Sequence, residues 1–428
     1  MSGGEHVRLS SHLLSLACGF RAGIVPPWQA IELTFADLAD VHNVFIVGDT
    51  PSTKEASSGG VGRSLEAARN AAIGEALERY CASAARFPLA RGRDLRRERV
   101  FTRDDCALFT REQNAAPGFP WRGPIPDDAV YGEAFSALDN RAAWFPQELI
   151  GLGSRIEPAT LPSTSTGLAA HTRWARAFHG AVEELLERDA LASYWLNGLP
   201  GREIALPDAY IVPVAERGGT VRAFDLTQAW NPEPVLAVCG QLPLRGVPRI
   251  SFGIACRRSA RDALEKAYLE WQQGVVFCGY YLNDHPATRL DDPSDLRDFI
   301  DHGLYYSLHP EAWEEVPLLR LRDRPAAPLD RRANPEGNVA DADALYALLR
   351  ALERGGVRVF YRDLTLPDVA DLGVTVARAL SPDLSLLHAD ERYPFLGGRT
   401  RDVAWRYPDL SPHARPSHPH SRFPHPLG

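Results

Sequence analysis

A chain of 428 residues, 45% of them hydrophobic and carrying a formal charge of −8, is long and apolar enough for one large globular core or two to three average domains. Its acidity excludes a general binder of nucleic acid or anionic membranes. No run reaches the roughly 20 apolar residues of a membrane helix, and Met1-Ser-Gly-Gly-Glu-His lacks the charged segment of a secretory signal, so we expect a cytoplasmic protein with no membrane and no nucleic-acid partner.

In chain order, residues 42–48 read as a buried strand and Ser57-Ser58-Gly59-Gly60-Val61-Gly62 as a Gly/Ser-rich loop. A helix follows, from Ser64 as N-cap to Ala85. Residues 87–160 are rich in Arg, Pro and Trp and offer only short strand-like pieces. Ser163–Gly167 is a polar loop, and a second long helix is predicted over 172–197. Strand-like runs occupy 209–214, 220–226, 235–241 and 248–256, ahead of a third helix over 260–276. Residues 285–340 read as loop, 341–354 as a short helix, and 357–361 and 373–380 as strands. The end of the chain is dense in Pro and His, a composition that favours an exposed, extended segment. This irregular alternation predicts a mixed α/β (α+β) fold with one large domain over 1–408 and a tail over 409–428. The six cysteines form no CxxC pair, which argues against a zinc ribbon and for scattered reduced thiols.

The three long helices share a feature. Glu75 and Glu78 in the first, Glu184 and Glu187 in the second, and Glu270 and Gln273 in the third each stand three residues apart, on one face. Apolar residues (Ile73 and Leu77; Phe178, Val182 and Leu186; Leu264, Trp271 and Val275) fill the opposite faces. The residues alone leave two readings open. Each stripe is a solvated face paired with Arg79 or Arg188, or the three converge on hard cations holding a phosphate. Lys266, four residues before Glu270, is placed to pair with it or to touch that phosphate.

In order and spacing, these segments resemble the YcaO family. The match runs through Gly60–Arg79, Ser165–Thr172 with Glu184–Ala190, Ser251–Cys256 with Ala263–Gln273, Asp301-His302 and Arg362–Asp368. The resemblance implies an ATP-dependent peptide cyclodehydratase of the azoline-forming branch. There a Cys, Ser or Thr side chain of a ribosomal precursor peptide attacks the preceding carbonyl, ATP phosphorylates the oxyanion, and phosphate leaves. It further implies ATP and Mg2+ as cofactors, with Glu75, Glu78, Glu184, Glu187 and Glu270 on the metal. Gln273, Lys266 and Arg188 would lie around the nucleotide. The terminal Pro424, Pro426 and Gly428 would serve cyclisation as a Pro-x-Pro-like tail in which Gly428 replaces a third Pro. The partners implied are the precursor peptide, a separate leader-binding protein and a second copy of the chain. Thioamide- or macroamidine-forming relatives, and a non-catalytic scaffold of the same fold, are the alternatives. The chain departs from the family at Ala71, Val61 and Arg176, where Ser, Lys and a carboxylate are common.

Overall fold

The computed structural model describes residues 17, 24, 30–33, 41–46, 58–121, 123, 127–153, 159–321, 325–329, 339–415 and 423–428. Five longer helices organise it: α1 (Leu65–Ala84), α2 (Trp174–Leu196), α3 (Ala260–Asp284), α4 (Phe299–Leu308) and α5 (Asp341–Arg354). Three antiparallel sheets accompany them. The first runs β1 (Ala30–Leu33), β2 (His42–Ile46), β3 (Ser58–Gly62). The second contains β8 (Arg202–Ile204), β9 (Thr220–Asp225), β10 (Val235–Leu244) and β11 (Val247–Cys256), in the order β11-β10-β9-β8. The third collects β4 (Leu89–Arg91), β5 (Val130–Ser136), β6 (Ala142–Pro146), β7 (Leu168–His171), β12 (Phe360–Asp363) and β13 (Thr375–Leu380). Its order is β4-β5-β12-β13-β7, with β6 on β5. The mixed α/β class expected from the sequence is the one observed.

One construction repeats. A strand of each sheet turns directly into a long helix that packs back on it: β3 into α1, β7 into α2, β11 into α3. Ser64 caps α1 through the Ala67 amide at 3.2 Å, and Ser259 caps α3 through the Asp262 amide at 3.1 Å. The packing is close enough to demand glycine. A Cβ on Gly60 would lie 2.1 Å from the Ala68 carbonyl oxygen, and one on Gly253 would lie 2.1 Å from that of Ala267. This explains the main departure in the first helix region: Ser58–Gly62, which reads as a loop, is a strand whose missing side chains admit α1.

Other departures are local. Residues 209–214 lie in a helix, Asp208–Ala215, entered after Pro207; its β-branched run buries only Val214. α3 continues to Asp284, past the predicted end near 276. The loop-like 285–340 contains α4, capped by Asp298 on the Asp301 amide at 3.0 Å. The strand expected at 357–361 starts at Phe360. Among the described residues no helix is long and apolar enough to cross a membrane, and the five described cysteines are buried and free.

Candidate functional site

The three acidic stripes meet. Each glutamate of α1 and α2 is held by a backbone amide of a strand, its adjoining loop or a neighbouring sheet. Gly59 N donates to Glu75 Oε2 at 2.6 Å, and Ala170 N to Glu78 Oε1 at 2.7 Å. Gly167 N donates to Glu184 Oε2 at 3.0 Å, and Cys256 N to Glu187 Oε1 at 2.7 Å. The third helix joins through Gln273, whose Nε2 would lie 2.6 Å from a Cβ on Gly59. Lys266 Nζ sits 3.0 Å from Glu270 Oε1, the pairing its spacing suggests. Arg79 Nη2 reaches Glu75 at 2.6 Å, and Arg188 Nη2 reaches Glu184 at 3.5 Å.

Electrostatics link the stripes. Burial raises the proton affinity of Glu78, and Glu184 and Glu75 raise it further. Burial likewise raises Glu184, with Arg188 opposing and Glu75 adding. Glu187 is pushed up to about 8 by burial, with Arg257 opposing and Glu270 and Glu184 adding. Ionised carboxylates from three helices thus repel one another in a partly buried site. A divalent cation relieves that charge and takes oxygen ligands, so the donor set fits Mg2+. With such an ion bound between the three helices, Glu75, Glu78, Glu184, Glu187 and Glu270 would be the residues to hold it.

Sequence reasoning missed two contributors. Arg257 Nη1 bridges Glu183 Oε2 and Glu187 Oε1, each at 3.2 Å. Burial disfavours its charge, but Glu183, Glu187 and Glu270 outweigh that and hold it protonated. Arg378, fully buried, donates to the carbonyls of Leu149 at 2.9 Å and Thr164 at 2.8 Å, fixing the loop whose Gly167 amide serves Glu184. That loop requires glycine: φ at Gly167 is +86°, and a Cβ there would meet the Ala379 carbonyl at 2.5 Å. The Arg257-Arg258 pair, at the strand end before the Ser259 cap, was the available signal for the first of these.

Beside the site, His179, Glu183 and Glu233 bring their ligand atoms within 4.8 Å of one another. Arg258 Nη2 lies 3.4 Å from His179 Nδ1, and a guanidinium can only donate. The imidazole proton therefore sits on Nε2, facing Glu233 Oε1 at 2.8 Å. With Arg257 on Glu183 and the His179 ring on Glu233, protein groups already occupy these ligand atoms, and we read the cluster as a hydrogen-bonded network bracing α2 against the end of β11.

The tail contradicts its composition. Pro424, His425, Pro426 and Leu427 are buried, and only Gly428 is exposed. Tyr306 donates to the Pro424 carbonyl at 2.7 Å, and the His425 ring stacks on His302 with centroids 3.7 Å apart. Pro-rich composition predicts exposure only where nothing offers a seat; here α4 does. Neither Pro424 nor Pro426 carries a titratable group.

A family profile described as YcaO cyclodehydratase, ATP- and Mg2+-binding, matches residues 59–385. The chain belongs to the YcaO family. That family's description makes ATP and Mg2+ its cofactors, in agreement with the donor set. Among solved structures, a heterocyclase in complex with substrate and cofactor is similar at a TM-score of 0.73 and 18% identity, over 93% of this chain and 56% of its own. The YcaO protein of Methanopyrus kandleri bound with AMPPCP and Mg2+ is similar at 0.60 and 16%, over 85% and 88%. The E. coli microcin synthetase McbBCD complex with pro-MccB17 bound is similar at 0.59 and 18%, over 84% and 90%. At these identities the likeness is one of fold, and this chain spans little more than half the length of the first heterocyclase. None of the curated proteins matches the sequence.

Proposed function

We propose that this YcaO chain is an ATP-dependent cyclodehydratase subunit. It activates a backbone amide oxygen of a ribosomally made precursor peptide, so that a Cys, Ser or Thr side chain closes on the preceding carbonyl carbon to give a thiazoline or oxazoline. The observation that carries the reading is the convergence of Glu75, Glu78, Glu184, Glu187 and Glu270 from three helices, each helix also bringing a cation to its stripe. Mg2+–ATP, when bound, supplies the phosphoryl group that turns the amide oxygen into a good leaving group.

The chain's own residues do the rest. The five carboxylates would hold the metal; the four strand and loop amides keep Glu75, Glu78, Glu184 and Glu187 from swinging out, and Lys266 holds Glu270. Arg188 and Lys266 lie at the edges of the cluster, where they neutralise phosphate charge, and Gln273 offers an uncharged amide beside Gly59. The seated Pro424–Gly428 segment borders the peptide end. A separate leader-binding protein presents the peptide, and the subunit pairs with a second copy. The similar microcin complex, bound to its own pro-peptide, supports a peptide substrate.

The test is a mass measurement with ATP, Mg2+, the leader-binding partner and a Cys/Ser/Thr-rich peptide encoded beside the gene. Each ring closed lowers the peptide mass by about 18 Da, and sulfur-for-oxygen exchange raises it by about 16 Da, as follows from where the phosphorylated oxygen departs. Glu75→Ala should abolish both mass change and ATP turnover while leaving the circular dichroism spectrum intact. Unchanged peptide with no ATP turnover by the wild type sinks the proposal.

A further inference from the structure

Outside the carboxylate site, the last residues are seated by a dense set of contacts. His302, on α4, is fully buried. Its Nδ1 lies 2.9 Å from the His425 carbonyl oxygen and its Nε2 lies 3.0 Å from that of Ala389. The His425 ring returns the contact: it stacks on His302 at 3.7 Å, within 2° of parallel, and its Nε2 donates to the His388 carbonyl at 2.7 Å. Two stacked imidazoles thereby stitch the tail to the 388–391 loop, where His388 in turn donates to Glu391 at 2.8 Å. Tyr306, one helical turn on from His302, holds the Pro424 carbonyl. Gly303 leaves room for the end: a Cβ there would lie 3.1 Å from the Gly428 Cα.

The seat touches the carboxylate site through Phe299. Its ring lies 5.9 Å from that of His425, and the Arg188 guanidinium carbon lies 6.0 Å from the centre of the same ring. Arg188 reaches Glu184, and its Nε is buried with no hydrogen-bond partner among the described residues. Its position therefore depends on packing against Phe299 more than on a full set of hydrogen bonds.

We propose that His302 is a positioning residue: by clamping the C-terminal segment it fixes the Phe299 face against which Arg188 is held toward the nucleotide. This rests on the ATP reading above. It assigns His302 no contact with substrate; its effect passes through the tail and then through Arg188.

Two measurements on the full chain separate the parts. Carboxypeptidase Y digestion followed by mass spectrometry reports the clamp. The wild type should resist, while His302→Ala should lose residues up to Pro426. Gly303→Val, which leaves every ring in place but fills the notch at Gly428, should behave alike and guards against a fold defect peculiar to His302→Ala. Calorimetric titration with AMPPNP and Mg2+ reports the consequence. His302→Ala should weaken binding about tenfold, the scale of a catalytic group displaced by a fraction of an ångström. A chain lacking 424–428 should be weakened by the same factor, and the double variant should fall within about twofold of the truncation alone, because both act along one path. A general packing defect would instead add to the truncation. Additive losses, or a His302→Ala chain that binds nucleotide like the wild type while losing its tail to digestion, overturn the positioning role. A wild type that binds no nucleotide sinks the ATP reading and the positioning role with it, and digestion alone then judges the clamp.

Discussion

Glu187 accepts from the Cys256 amide and from Arg257 in a site where burial has pushed it up to about 8. Its ordinary value is 4.5, so between those two pH values the unfolded chain gives up a proton that the folded chain keeps. Stability without nucleotide should therefore fall as pH rises through that window, the reverse of the trend for a salt-bridged carboxylate. Glu187→Gln keeps an acceptor for the Cys256 amide and removes the charge. It should flatten the slope of unfolding midpoint against pH while abolishing ATP turnover; an unchanged slope counts against the assigned burial. Two positions on, Asp189 has a different task. It is wholly buried, bound by Arg406 Nη2 at 2.6 Å and by the Ser385 amide at 2.8 Å, and ties α2 to the C-terminal third of the chain. The Glu-Leu-Leu-Glu stripe was legible because three-residue spacing on a helix marks one face. The division of labour between Arg188 and Asp189 was not, since adjacent helical residues point about 100° apart toward neighbours that only the fold supplies.

At the scale of elements, what escaped the sequence is mostly strand. Ser58–Gly62 carries one β-branched residue, Val61, among three glycines, because α1 packs on it at backbone contact. Conversely, Tyr210-Ile211-Val212-Pro213-Val214 carries a strand's composition and forms a helix turned mostly to solvent. The three long helices were readable from periodicity and from the Ser64 and Ser259 caps, and their ends erred where no cap signals a stop, as at Asp284. The glycine contact makes a direct prediction. Gly60→Ala must push β3 off the helix, since its Cβ would meet backbone at 2.1 and 2.3 Å, contacts no rotamer can relieve. The urea midpoint should drop by the equivalent of about 3 kcal/mol, at the upper end for overpacking. Gly74, with nothing among the described residues within 4 Å of an added Cβ, is the control, and Gly74→Ala should leave the midpoint unchanged or slightly higher.

For the whole molecule, the carboxylate site lies where elements from all three sheets meet through their helices. A ligand binding there is linked to folding of the entire chain, and occupancy at 100 times the dissociation constant adds about 2.7 kcal/mol to apparent stability. Mg2+ with AMPPNP should raise the melting temperature, EDTA should cancel the rise, and Glu75→Ala should show no rise at all. A shift that persists with EDTA would place the nucleotide elsewhere. The sequence resemblance pointed to the family and to which glutamates gather, and it took in His302; it carried no sign of Arg257, of Arg378 or of the stacking of His302 on His425. Those belong to contacts between segments such as His302 and His425, 123 positions apart, whose pairing no local pattern encodes.

The amides of Gly59, Gly167, Ala170 and Cys256 that pin the glutamates belong to the main chain. Every residue except proline supplies the same donor. An alanine scan would therefore leave the donor in place at all four positions, Ala170 being alanine already, and register only the Cβ added at Gly59 and Gly167 and the thiol lost at Cys256. The frame that aims the metal ligands would stay hidden from that experiment, and would come into view only with proline or with an ester in place of the peptide bond.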